Sequence, residues 1–413
     1  MNTELFIARR LFSAKEQSPR LSRRIVRLAV AGVSVGMTVM LLAVATVAGF
    51  QQEIEDKVNG FAANFQIVNY HNNYSFQTDP VMRDDTLLRQ LRALPQIRHI
   101  QQFATKPGMI KADSDLQGIV LKGITDDFDW QFFEKARVNG ARLNPDSTQV
   151  WISKKLSDLL RLPLGKRFRI YFLNEGEQVP RIRQFTVAGI YDTGFEEFDR
   201  MFILAGLKHV QRLSDWEDNQ ISGYEVFVNR DVPHETIEER IADLVFDRHS
   251  DTRPLQRVDN IRRKYPQIFD WLNLLDMNAI VILTLMIAVA GFNMISGLLV
   301  IILERAAMIG ALKAMGAGQR TVRRIFLYLA FLLTGQGLLW GNMLGLGLYM
   351  LQKHFGIVKL DPHSYYVATM PVSLSAQQLL TLNLVAFVAT MLMLVVPSLF
   401  ISRISPAKTL RFE

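Results

Sequence analysis

The chain has 413 residues, long enough for more than one domain, with 21% charged and 49% hydrophobic residues and a formal net charge of +8. It has no cysteine, which excludes disulfide and thiolate chemistry and suits an oxidising compartment. The positive charge does not point to nucleic acid, because the basic residues gather in short segments beside apolar runs, where they set membrane topology.

Residues 1–27 carry Arg9, Arg10, Lys15, Arg20, Arg23, Arg24 and Arg27 ahead of an uncharged run, Leu28–Gly49. About 20 apolar helical residues cross a bilayer core, so this run crosses once. Ala43-Val44-Ala45 resembles a cleavage site, but a signal-peptide core runs only about 7–15 residues, and a retained helix is expected. Gly32-Val-Ser-Val-Gly36 matches the letters of a nucleophile elbow. It lies inside an apolar span without His or acid partners, so Gly32 and Gly36 read as a small face for helix packing.

Residues 50–270 read as a soluble α+β domain. Gln51–Val58 continues the first span as a helix, Asn64–Asn69 alternates as a strand, and Asp84–Ala93 is helical with Leu87, Leu88 and Leu91 on one face. Short strands are expected at Gln117–Gly123, Gln149–Ile152, Arg167–Leu173, Arg183–Gly189 and Gly223–Val228. Amphipathic helices are expected at Ser153–Leu160, with Ser153 as its cap, and at His234–Asp247. Arg161–Gly165 breaks a helix, and Asn174–Pro180 is a polar hairpin tip. The seven histidines are scattered, Asp126, Asp127 and Asp129 read as a solvated turn, and Glu196-Glu197 as a surface turn, so no metal site or catalytic residue is expected.

Three further uncharged runs follow, Met277–Leu303, Ile325–Gln352 and Ala376–Ser402, each long enough to tilt across a bilayer. Transmembrane helices are expected within 28–49, 271–303, 325–352 and 376–402, joined by a cytoplasmic segment at 304–324 and an outer loop at 353–375. The tail 403–413 carries Arg403, Lys408 and Arg411. Basic clusters on 1–27, 304–324 and 403–413 put both termini in the cytoplasm. The fold class is therefore an α-helical membrane protein with four transmembrane helices and a large α+β extracytoplasmic domain inserted between the first two.

The segment Glu304-Arg-Ala-Ala-Met-Ile-Gly-Ala-Leu-Lys-Ala-Met-Gly-Ala-Gly318 is the most informative. Helix formers run from Glu304 to Met315, Met308, Ile309, Leu312 and Met315 make an apolar stripe, and Gly316 and Gly318 stop the helix. Ala307, Gly310, Ala311 and Ala314 keep its surface small. Two readings stand: a helix docking into a protein groove, or one lying at the lipid interface.

This segment, continued through Gln319-Arg-Thr-Val322, resembles the coupling helix of the ABC permease family that includes lipoprotein-releasing, macrolide-exporter and cell-division permeases. The ending Ser402–Glu413 resembles that family's terminal pattern through Pro406, Ala407, Leu410 and Arg411. Phe6–Phe12, Val44–Ile67, Gly118–Ile124 and Phe185–Ile203 are most similar to the lipoprotein-releasing branch.

The resemblance implies an inner-membrane permease whose inserted domain is periplasmic. Glu304, Arg305, Met308, Ile309, Gly310, Ala311, Lys313 and Gly316 would form the contact with an ABC ATPase dimer. No G-x-x-x-x-G-K-[ST] phosphate loop is present, so ATP and Mg belong to that partner and this chain needs no cofactor. Met37, Met40, Leu41, Val44 and Phe50 are the expected lining of a substrate cavity for acyl chains, against a background of membrane lipids. Glu177, Val179 and Pro180 of the hairpin tip are the expected contact for a periplasmic lipoprotein carrier. The remaining partners are a lipoprotein substrate and a second permease, either an identical copy or a similar chain. Two alternatives are a mechanotransmission permease acting on an envelope partner and a membrane-anchored scaffold with no ATPase.

Overall fold

The computed structural model describes residues 3–13, 20–72, 76–112, 115–174, 176–229, 232–247, 254–361, 365 and 367–400. The chain divides into two compact units. The first comprises 1–52, 271–359 and 369–413, and the second comprises 53–270 and 360–368.

The first unit holds four helices long and apolar enough to cross a membrane among the described residues. They run Arg20–Ala62, Pro266–Glu304, Gln319–Phe355 and Ala376–Phe400, of which the stretches 53–62 and 266–270 belong to the second unit, and are called the first to fourth long helices below. Each of the first three outruns its uncharged stretch, because nothing in the flanking sequence breaks it and charged residues tolerate helix once outside hydrocarbon. The expected extension Gln51–Val58 is part of the unbroken first helix. Two short helices complete the unit: Thr3–Ser13 and Ala306–Ala314. The core of this unit is apolar, built around Met37, Leu41, Met294, Leu298, Ile325, Phe326 and Leu394.

The second unit is an α+β domain. Its strands are β1 (Phe65–Asn69), β2 (Val81–Met82), β3 (Ile97–Ala112), β4 (Asp115–Ile124), β5 (Arg137–Gly140), β6 (Gln149–Ser153), β7 (Arg167–Phe172), β8 (Arg181–Tyr191), β9 (Phe202–Gly206), β10 (Gln220–Ile221), β11 (Gly223–Val228) and β12 (Gln256–Asn260). One sheet runs β12-β1-β11-β3-β4-β9-β6-β8-β5, with β7 pairing both β3 and β8, and β2 pairs β10 separately. Most pairs are antiparallel; β4 with β9 and β6 with β8 are parallel. Strand alternation sends Phe65, Ile67, Ile100, Leu121 and Val226 to one face, where helices Asp85–Arg92, Leu207–Leu213 and His234–Phe246 cover them.

The expected strands and helices of this domain are present, and Ser153 caps its helix as expected. Ser153 Oγ accepts from Leu156 N, and Asp84 accepts from Thr86 N and Leu87 N. Arg161 ends its helix in the left-handed conformation at φ 50°. The sequence reading missed β3, the longest strand, because Pro107-Gly108 interrupts it like a turn. Pro107 falls after Phe103, where pairing with β11 ends, and before Met109, where β7 joins. With β4 alone beside it, the strand tolerates a proline there. Strands β9 and β12 and the helix Leu207–Leu213 were also missed.

Candidate functional site

The segment after the second long helix turns sharply. The helix ends at Glu304, Arg305 leaves helical geometry at φ −99°, ψ 19°, and a new helix runs Ala306–Ala314. This corrects the expectation of one helix from Glu304 to Met315: no glycine or proline marks the break, so packing decides it. Ile309 is fully buried and Gly310 buried with it, while Met308 and Leu312 pack partly against the same core. Lys313 is half-buried. Glu304, Ala307, Ala311, Ala314, Met315 and Gly316 are exposed. Of the eight residues read as ATPase contacts, Glu304, Ala311 and Gly316 are thus on the open side, and Ile309 and Gly310 face inward. Gly316 stops the helix at φ +94°, and Ala317 N donates to Leu312 O at 2.9 Å, closing the end as a Schellman turn. The matching tail pattern, Pro406 to Arg411, lies outside the described residues.

The first long helix is held between the second and third. A Cβ on Gly341 would lie 2.6 Å from Met37 Cβ and 2.7 Å from the Ser34 carbonyl, and one on Gly337 would lie 2.7 Å from Val33. Only glycine permits that approach. Ser34 Oγ donates to the carbonyl oxygens of Val30 and Gly337, each at 2.9 Å, and Thr38 Oγ1 lies 3.1 Å from the Gly341 carbonyl. Ser34 is therefore a packing residue. On the other face, Gly32 approaches Asn293 and Gly36 approaches Ala290. Met37, Met40, Leu41 and Phe50 consequently lie in this chain's own core, and Val44 is half-buried. The exposed apolar stripe of this helix is Leu28, Val35 and Val39. Between the third and fourth helices, Asn342 and Asn383 exchange amide hydrogen bonds at 2.6 and 3.1 Å.

In the inserted domain, β7 and β8 form the expected hairpin. Arg181 Nε donates to Glu177 Oε2 at 3.1 Å, and Arg181 Nη1 donates to Asp215 Oδ1 at 2.7 Å, which pins the tip to the turn after Leu207–Leu213. The guanidinium holds the carboxyls of Glu177 and Asp215 below their usual range by hydrogen bonding. Val179 is 76% exposed and Pro180 is exposed beside it.

The sheet face opposite the apolar core carries a buried polar ladder that the sequence reading did not identify. Cross-strand register aligns Gln66, Glu225 and Gln101, and Lys122 lies one strand further on. Lys122 Nζ pairs with Glu225 Oε1 at 2.7 Å, with side chains 3% and 1% exposed. Gln66 and Gln101 donate to the same carboxylate at 3.1 and 2.8 Å. Lys122 also donates to the Phe61 carbonyl in the last turn of the first long helix. Lys264, just before the second long helix, donates to Gln66 Oε1 at 2.7 Å, and burial lowers its pKa. Phe61 stacks on Phe198 at 4.7 Å, and Tyr265 meets the same ring at 5.2 Å. The only sequence signal was a charge in mid-strand, in Val120-Leu-Lys122 and in Tyr224-Glu-Val226.

Residues 27–244, more than half the chain, match the MacB-like periplasmic core domain, and residues 280–406 match the FtsX-like permease C-terminal family. The chain belongs to the FtsX-like permeases with a MacB-like periplasmic core. It is 22% identical to the lipoprotein-releasing system transmembrane protein LolC of Xylella fastidiosa (strain 9a5c), over 92% of each chain. It is 21% identical to the LolE protein of that system in Haemophilus influenzae, over 99% of each chain. A similar solved structure is the periplasmic region of MacB from Actinobacillus actinomycetemcomitans, 16% identical with a TM-score of 0.35, covering 53% of this chain and 98% of that one.

The resemblance drawn from the coupling segment and the inserted domain therefore holds, as does the fold class of four membrane helices with a periplasmic α+β domain. As an FtsX-like permease the chain is a transporter component of the inner membrane with a periplasmic domain. The turn at Arg305 and the exposed alanine face lie within the matched region 280–406, and Gln66, Gln101, Lys122 and Glu225 of the ladder within 27–244.

Proposed function

We propose that this chain is the permease subunit that extracts lipoproteins from the outer leaflet of the inner membrane and passes them to a periplasmic carrier, driven by a separate ABC ATPase dimer. The observation that carries the reading is the exposed face Ala307, Ala311 and Ala314 of a short helix held by its buried side, flanked by exposed Glu304 and Met315. Small side chains on a rigid support suit insertion into a protein groove, where a larger residue would be excluded. Similarity to LolC and LolE proteins over nearly the full length supports the substrate class.

In this reading 1–27, 304–324 and 403–413 are cytoplasmic and 50–270 and 353–375 periplasmic, as the basic clusters favour. ATP and Mg bind only in the partner. Closure of the ATPase dimer displaces the coupling helix and with it the second and third long helices. Two discrete helix arrangements would carry the stroke. Acyl chains meet the first long helix along Leu28, Val35 and Val39, with Val44 at the margin, instead of along the buried Met37 and Leu41. The carrier meets the hairpin at Val179 and Pro180, while Glu177 holds the tip through Arg181. A second permease, identical or similar, completes the complex.

Mechanotransmission to an envelope partner is the second reading. It is favoured by the buried ladder, which ties Phe61 and Lys264 to one sheet within the second unit. Gentle purification of the tagged chain with mass spectrometry of bound proteins and acylated cargo separates the two. An ATPase with triacylated lipoprotein supports extraction. An ATPase with an envelope partner and no lipoprotein supports mechanotransmission, and no ATPase overturns both.

A further inference from the structure

The amino-terminal helix Thr3–Ser13 has two unlike faces. Ile7, Ala8 and Leu11 turn inward and join the apolar cluster that contains Val322, Ile325, Phe326 and Leu329 of the third long helix. Glu4 pairs with Arg324 at 3.6 Å. The outward face carries Leu5, Phe6 and Phe12, exposed at 44%, 52% and 39%, interleaved with exposed Arg9 and Arg10. Such a face is a poor one to leave in water: three large apolar side chains within eight residues stand exposed among the described residues.

The depth of this helix is marked by its own contacts. Arg324 is the last charged residue before the uncharged run Ile325–Gln352, and Glu4 is tied to it. A helix fixed at the junction between charged and uncharged parts of a membrane span lies at headgroup level. There the apolar side chains reach the acyl boundary, and arginines on the same face meet phosphate oxygens. Leu5 and Phe6 precede the arginine pair and Phe12 follows it, so the one face offers apolar and cationic groups side by side, as an interfacial helix does.

We propose that Thr3–Ser13 is a lipid-docking helix that seats in the cytoplasmic leaflet and binds anionic phospholipid headgroups through Arg9 and Arg10. The choice of leaflet rests on the topology proposed above; the lipid contact itself does not. Each arginine contributes about fivefold to partitioning onto an anionic surface, so the pair sets a preference for phosphatidylglycerol over zwitterionic lipid.

The chain has no cysteine, so Phe6→Cys and Thr3→Cys each supply a single labelling position in the full-length protein. A spin label at residue 6 is compared in nanodiscs of phosphatidylcholine with and without phosphatidylglycerol. The expected result is collision with oxygen in preference to a water-soluble nickel chelate. Arg9→Gln/Arg10→Gln should lower retained phosphatidylglycerol by about tenfold or more, whereas Arg9→Lys/Arg10→Lys keeps most of it. A label equally open to nickel in both lipids, or lipid retention unchanged by the glutamine pair, overturns the proposal. So does a label shielded from both probes only when the ATPase is bound, which would give this face to the ATPase. Thr3→Cys labelled by an impermeant maleimide from outside intact spheroplasts would instead refute the assigned topology, and the nanodisc result would still decide the lipid contact.

Discussion

Lys122 and Glu225 are buried charges whose solvation by water has been replaced by each other, two glutamine amides and a backbone carbonyl. Removing one partner leaves the other uncompensated, which costs about 3–5 kcal/mol, while replacing both by apolar groups is far milder. Lys122→Met should therefore lower the thermal midpoint of the purified chain strongly, and Lys122→Met/Glu225→Leu should regain most of the loss. Asp199 is the second residue to test. Burial raises its pKa to about 6, against hydrogen bonds from Thr193 that favour the charged form, with Asp192 adding repulsion and Lys57 attraction. An unfolded aspartate titrates near about 3.9, so between about pH 4 and 6 the folded state holds the extra proton. The contribution of Asp199 to stability falls as pH rises through that window, by about 2–3 kcal/mol, and is level above it. Asp199→Asn should remove this slope in unfolding measured across pH. Neither residue was legible from sequence: a lysine and a glutamate more than a hundred positions apart meet only through strand register.

Elements divide by how their ends and faces were encoded. Gly337, Gly341 and Gly345 repeat at the four-residue spacing of a close helix contact, and the first long helix fills it. Gly341→Val forces a Cβ against Met37 and the Ser34 carbonyl, an overpacking cost of about 1–3 kcal/mol. Its expected result is earlier thermal aggregation in detergent, whereas valine at Gly347, with open space around it, should be neutral. The Asn342–Asn383 pair is worth less, about 0.6 kcal/mol by analogy with membrane hydrogen bonds. For the helix Ala306–Ala314 the glycine stop was readable, but the turn at Arg305 was not, and with it the face that points outward. On the proposed ATPase contact, Ala311→Arg on the exposed face should cut ATPase co-purification by about tenfold or more, a loss of at least 1.4 kcal/mol, with the thermal midpoint unchanged.

At the scale of the whole molecule, the two units differ in what solvent asks of them. The membrane unit presents apolar side chains outward as well as inward, with Leu274, Ile280, Phe292, Leu380, Leu384 and Leu392 all exposed. The periplasmic unit keeps its apolar residues on one sheet face under helices and uses the other for a polar ladder and an aromatic nest. Its exposed hairpin is the place for a partner in the proposed function. Val179→Asp should lower capture of the lipoprotein carrier in a pull-down without changing ATPase binding, because the tip remains pinned by Arg181. Equal carrier capture by the variant would remove the hairpin from the handover.

Sequence by itself determined the four membrane helices, the inserted α+β domain and the family, because these rest on local properties: the length of an uncharged run, the period of apolar residues, caps and a helix-stopping glycine. It also placed the hairpin, through a polar tip between two alternating strands. Tertiary structure alone decided which side of the helix Ala306–Ala314 is open, that Met37 and Leu41 are core residues, that β3 continues through Pro107, and that Lys122 and Glu225 form a pair. Each of those depends on what an element packs against. Packing partners distant in the chain leave no periodic trace in the residues that meet them.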